Sequence, residues 1–200
     1  MFRALLLLTL FAGPFWEARP PAEWSDTELE NILTDSPWAE MVAAGGNANV
    51  PPVQVYLATA APIALAETEY DLRQKRRRPA NAKPVEDPFA EEYQAWLEDN
   101  RASQIIAAVR VGRNPAFSDQ REVHRMEEES IMRVGRKKFK MTGHFPPSPS
   151  DPYLRMAFPR QVTVNDKAVS FELYLPGVPI PFRAVEFTVK DMLFHGRLEM

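Results

Sequence analysis

The chain has 200 residues, 45% apolar and 26% charged, with a formal charge of −3. That length suffices for one hydrophobic core, and the near-balanced charge supplies no global field to draw the chain to nucleic acid, which is excluded as a partner. The absence of cysteine removes disulfides, thiolate metal ligands and cysteine nucleophiles together.

The opening MFRALLLLTLFAG places one arginine before an apolar run from Ala4 to Ala12, the shape of a secretory signal peptide and too short to span a bilayer. Residues 1–18 are expected to form that signal, with its end between 18 and 22. A cut after Ala18 sets bulky Trp16 where a small residue is expected. Residues 23–200 then form a single domain that is exported, periplasmic or secreted. Nineteen prolines against eight glycines imply stiff, extended connections within it.

WSDTELENIL carries a full helix-start signature: Ser25 as N-cap, Glu28 three residues later, and Trp24 placed to pack on Leu29. Pro37 pushes Ser36 out of helical geometry, so this helix should end near Thr34 or Asp35. AAGGNANVPP reads as a loop and VQVYLAT as a strand. A helix begins at Pro62 and runs into QKRRR, where Lys75 to Arg78 and the prolines beyond suggest a solvated connection. Residues 87–100 form another helix through Phe89, Tyr93, Trp96 and Leu97, and SQIIAAVRV is a central strand buried on both faces.

SDQREVHRMEEESIMRV reads as one amphipathic helix capped by Ser118, with Val123, Met126, Ser130, Ile131 and Val134 on a shared face. Beyond it the period becomes two. KKFKMT and YLRMAF are strands around a rigid HFPPSPSDP loop. QVTVNDKAVSFELYLPG is a hairpin turning at Asn165 to Lys167, and FRAVEFTV is a final strand with Val185, Phe187 and Val189 inward. The fold class expected is α+β, mostly antiparallel sheet toward the C-terminus with helices packed on one face.

No chemical signature stands out. His124 has Glu127 and Glu128 one turn on, but a second histidine and an HExxH arrangement are missing, so a solvated face is the better reading. There is no GxSxG elbow, no SxxK and no phosphate-binding loop. No catalytic residue, cofactor or metal is assigned. The residues singled out as interface or structural are Asp35, Ser36 and Trp38 in LTDSPWAE, and Arg76, Arg77 and Arg78 in QKRRR. Trp38 is expected to dock on the sheet. The basic clusters QKRRR and RKKFK offer contact with anionic lipid as a subsidiary option.

Two stretches, LTDSPWAE near the start and VKDMLFHGRLEM at the end, together with FPR at 158–160, resemble a family of uncharacterised exported bacterial proteins of Acidobacteria type. Its members carry an LTDSPWAK-like element and a KDM-aromatic-x-G-[KR]-L pattern. Glu40 stands where that family tends to have lysine. The resemblance implies export and one unit containing both ends of the chain, and it brings no activity. The leading expectation is a non-enzymatic envelope module that binds a partner protein or ligand or is structural. The alternative is a secreted hydrolase whose site assembles only in three dimensions.

Overall fold

The computed structural model describes residues 13–45, 49–79 and 87–200. A four-residue helix α1 (Phe15–Ala18) and a 3-10 turn at Pro21–Glu23 lead into α2 (Asp26–Thr34). Ser25 caps α2 with the reciprocal box the sequence calls for. Its Oγ accepts the Glu28 N–H at 3.2 Å and Glu28 accepts the Ser25 N–H at 2.8 Å. Trp24, Leu29, Ile32 and Ala66 then form a small buried cluster of their own.

Two antiparallel sheets make the body of the molecule. The first holds β1 (Ala39–Val42), β2 (Val53–Leu57), β3 (Gln104–Arg110), β6 (Gly143–Phe145) and β7 (Tyr153–Pro159), in the order β1-β2-β3-β7-β6. The second holds β4 (Ile131–Val134), β5 (Lys137–Lys140), β8 (Ala168–Tyr174) and β9 (Phe182–Thr188), in the order β5-β4-β8-β9. A small ribbon of β10 (Leu193–Phe194) and β11 (Arg197–Leu198) closes the chain. The α+β class therefore holds, and the N-terminal half contributes strands as well as helices.

Register fixes which side chains share a face. Tyr56, Ala108, Arg155 and Phe145 lie opposite one another across β2, β3, β7 and β6. That row faces the helices α3 (Ala61–Arg77) and α4 (Pro88–Asn100). Glu67 of α3 accepts from Tyr56 and Arg155, and the Tyr93 ring of α4 lies 4.6 Å from the Arg155 guanidinium. The alternate row faces the second sheet, where Phe158 of β7 meets Phe171 of β8 at 5.3 Å between ring centres. The first sheet is thus the middle layer, and Ile105 to Val109 of its central strand are buried on both faces, as their unbroken apolar run demands.

Three local expectations are revised, and one strand was not anticipated. The helix α5 (Gln120–Glu129) is capped by Asp119, not Ser118, and stops at Ser130. Ser130 turns extended and its Oγ accepts the Tyr174 N–H at 3.1 Å, so Ile131 to Val134 pair with β8 instead of continuing the helix. Strand pairing overrides a helical period here, and Met132 and Val134 alternate inward. Lys75 to Arg77 are helical, because strong helix formers with cations at a C-terminus suit the dipole, and α3 breaks only at Arg78, the residue before Pro79. Residues 161–164 are not a strand, and β8 pairs with β4 and β9. Finally, Ala39–Val42 is a strand that its four-residue length concealed. The AAGGNANVPP loop falls partly outside the described residues, and so does the expected signal segment 1–18, of which residues 1–12 are not described.

Candidate functional site

Residues 35–38 form a structural corner. The Asp35 N–H closes α2 on the Asn31 carbonyl at 2.8 Å, and its side chain is exposed. The Ser36 hydroxyl donates back to the Ile32 carbonyl at 2.8 Å and accepts the Trp38 N–H at 3.2 Å, so both its functions serve the backbone. A bridge between Ser36 and Ala39 closes the turn around Pro37. Trp38 points inward and is fully buried, with its indole N–H donating to the Glu199 carbonyl at 2.9 Å and its ring edge-on to Phe194 at 6.4 Å. The two sequence stretches from opposite ends of the chain meet at this indole.

The basic residues do other work. Arg76 and Arg78 are exposed at the end of α3, while Arg77 pairs with Asp26 at 2.7 Å. Asp26 also holds Arg73 at 2.8 Å, and Arg73 donates to the Trp24 carbonyl at 2.6 Å, so the carboxylate ties α3 to the start of α2. The second cluster, Arg136 to Lys140, lies on and beside β5 in the other sheet and is not brought into contact with the first. His124 is solvent-exposed beside Glu127 and Glu128 at 3.9 and 3.5 Å, and Glu127 also approaches His144 at 3.4 Å.

The most concentrated polar chemistry lies between the helices and the first sheet. Arg155, nearly fully buried, donates to Glu67 at 3.1 Å, pairs with Asp151, and is sandwiched by the Tyr93 and Tyr153 rings. Tyr56 donates to Glu67 at 2.6 Å and Tyr153 donates to Gln54 at 3.1 Å. Burial works against the Arg155 charge, but Glu67, the tyrosines and Asp151 outweigh it and hold the guanidinium firmly protonated. Burial raises the Glu67 carboxyl, with Arg155 and the Tyr56 hydroxyl pulling the other way. Beside them the free space is about 10 Å³, room for one water next to the unpartnered Tyr93 hydroxyl and Arg155 Nε, and none for a substrate. An arginine inside the apolar run YLRMAF is the one sequence signal that could have disclosed this cluster.

The space available to a ligand lies elsewhere. A groove of about 640 Å³ runs between β1 and β9, the edge strands of the two sheets, lined by Glu40 to Ala43 on one side and Phe182, Arg183 and Ala184 on the other. Met41 and Phe182 leave 49% and 46% of their surfaces exposed there. Glu172 at the groove is occupied by Arg133 in a two-point pair at 2.9 and 3.1 Å. Glu40 forms no ion pair among the described residues. Burial raises its carboxyl, and the like charges of Asp35 and Glu186 add to the effect. Arg183 is turned inward, donating to the carbonyls of Phe182 at 3.0 Å, Pro179 at 3.5 Å and Ile180, so it shapes the wall of the groove while Glu40 stays on its exposed side.

No family model, no curated protein and no solved structure matches the chain.

Proposed function

We propose that the protein is an exported, non-catalytic binding module of the cell envelope that takes an extended polypeptide segment along the open edge of β1. The observation that carries this reading is the groove of about 640 Å³ between two sheet edges, with exposed Met41 and Phe182 in it and Glu40, an acid without an ion pair among the described residues. A strand edge offers backbone donors and acceptors to an incoming strand, and alternate side chains of that strand would meet the apolar surface and the acids in turn. The partner is therefore an extended segment alternating apolar with basic residues.

Edge design supports the choice of β1. Of the four edge strands of the two large sheets, β6 is only three residues long and β5 carries Lys137, Lys138 and Lys140, two devices that discourage pairing. On β9 the inward Arg183 acts similarly, which suits it to be a wall. The hydrolytic alternative draws little support, since the convergent titratable groups around Arg155 are spent on one another in a space for one water. Membership of the exported family belongs to the same proposal, supported by the contacts that join its two motifs at Trp38.

Fractionation combined with photo-crosslinking tests it. A crosslinker at Met41 should give a discrete adduct in the exported fraction, and one at Val164, 64% exposed and away from the groove, should not. Recovery of the chain from the cytoplasm alone contradicts export. Equal labelling from both positions contradicts the groove.

A further inference from the structure

The segment Phe15–Ala18 packs as part of the domain. The Phe15 ring lies edge-on to Trp16 at 5.0 Å and to buried Trp24 at 5.5 Å. Trp16 continues the chain of rings to buried Trp38 at 5.9 Å, and Trp38 reaches Phe194. The segment thereby touches both hydrophobic clusters, with Trp16 set against each. Glu17 adds a polar clasp on the far end of the chain. One carboxylate oxygen accepts the His195 backbone N–H at 2.8 Å and the other lies 2.9 Å from His195 Nδ1. His195 holds a left-handed backbone, φ 47°, with Gly196 at φ 74°, in the tight turn between β10 and β11. A carboxylate on its N–H therefore stabilises a turn that a non-glycine residue adopts at a cost.

A leader ending at residues 18–22 would discard all of these contacts. It would uncover one edge of Trp38 and leave the His195 turn without its clasp.

We propose that Phe15–Ala18 is retained in the mature chain, so that the leader is cut upstream of Phe15. Residues this well matched to surfaces from both ends of the domain serve the folded state, whereas a discarded leader needs only to be apolar and small-residued at its cut. Ala12 and Gly13 are the small residues next upstream of the segment. The cut itself rests on the export reading. The retention of the segment in the fold does not.

The test uses the exported protein with Trp16→Ala and Glu17→Gln introduced separately. Mass and N-terminal sequence of the recovered chain locate the cut, and thermal unfolding reads the packing. The expected outcome is a mature chain that still contains residue 15, with the Trp16→Ala melting temperature lower by about 5 °C and Glu17→Gln lower by a smaller amount. A mature N-terminus at Arg19 or beyond overturns the proposal, and the variants would then be identical to the parent in mass and melting. Unchanged melting in a chain that keeps residue 16 overturns it too. If the chain stays in the cytoplasm with Met1 intact, export fails, and the melting of the same variants still decides whether the segment belongs to the fold.

Discussion

Trp38 joins the first element of the domain to its last. Its indole is fully buried between Trp16 and Phe194, and the one polar atom is satisfied by the Glu199 carbonyl. Trp38→Ala should therefore cost about 3 to 5 kcal/mol, read as a lower urea midpoint. Trp38→Phe should cost less, since it keeps most of the ring volume and gives up the hydrogen bond. A folded Trp38→Ala variant of parental stability would show that the ring is not core. At this scale the sequence was informative where chemistry was local. Ser25 and Glu28 announce their own capping box, and Pro37 announces the stop of α2 at Thr34. Two partners of Trp38, Phe194 and Glu199, come from the far end of the chain, at |i−j| = 161 for Glu199, and no local pattern names them.

Asp87 shows how one side chain sets the relation between elements. One carboxylate oxygen caps α4 through the Phe89 and Ala90 N–H groups at 3.2 and 3.3 Å. The other accepts from the Ser148 and Ser150 hydroxyls and the Ser150 N–H, fastening the proline-rich loop to the helix start. Burial opposes ionisation of Asp87, but these hydrogen bonds from Ser148, Ser150 and the backbone outweigh it and hold the carboxyl below its ordinary 3.8. A carboxyl depressed in the folded state stabilises it above the unfolded value and loses that contribution as pH falls through the folded one. Asp87→Asn should thus be less stable by about 1 to 3 kcal/mol above pH 4. The gap to the parent should close as pH drops below 3.8, and a gap constant across that range would contradict the assignment. Element boundaries were readable where a residue forces them, as at Asp87. They were misread where pairing decides, since nothing in EEESIMRV says that β8 will claim Ile131 to Val134.

At the scale of the whole molecule, the class was legible because period changes are visible along the chain, while the groove was not. Met41 and Phe182 belong to different sheets, and only the stacking of those sheets brings β1 beside β9. Net charge hid the same feature, since near balance overall is compatible with an exposed acid at Glu40 and basic clusters on α3 and β5. Because burial and the neighbours Asp35 and Glu186 raise the Glu40 carboxyl, capture of a basic segment should weaken as pH is lowered, beginning above the ordinary 4.5. Added salt should weaken it as well.

The measurement that bears most directly on the binding proposal is backbone amide NMR of the protein titrated with a peptide of alternating lysine and valine, against its glutamate–valine counterpart. Shifts should concentrate in β1 and β9 with the lysine peptide, be lost in the Glu40→Lys, Glu186→Lys double variant and be absent with the acidic peptide. Shifts that avoid Ala39–Val42, or that are the same for both peptides, would contradict it.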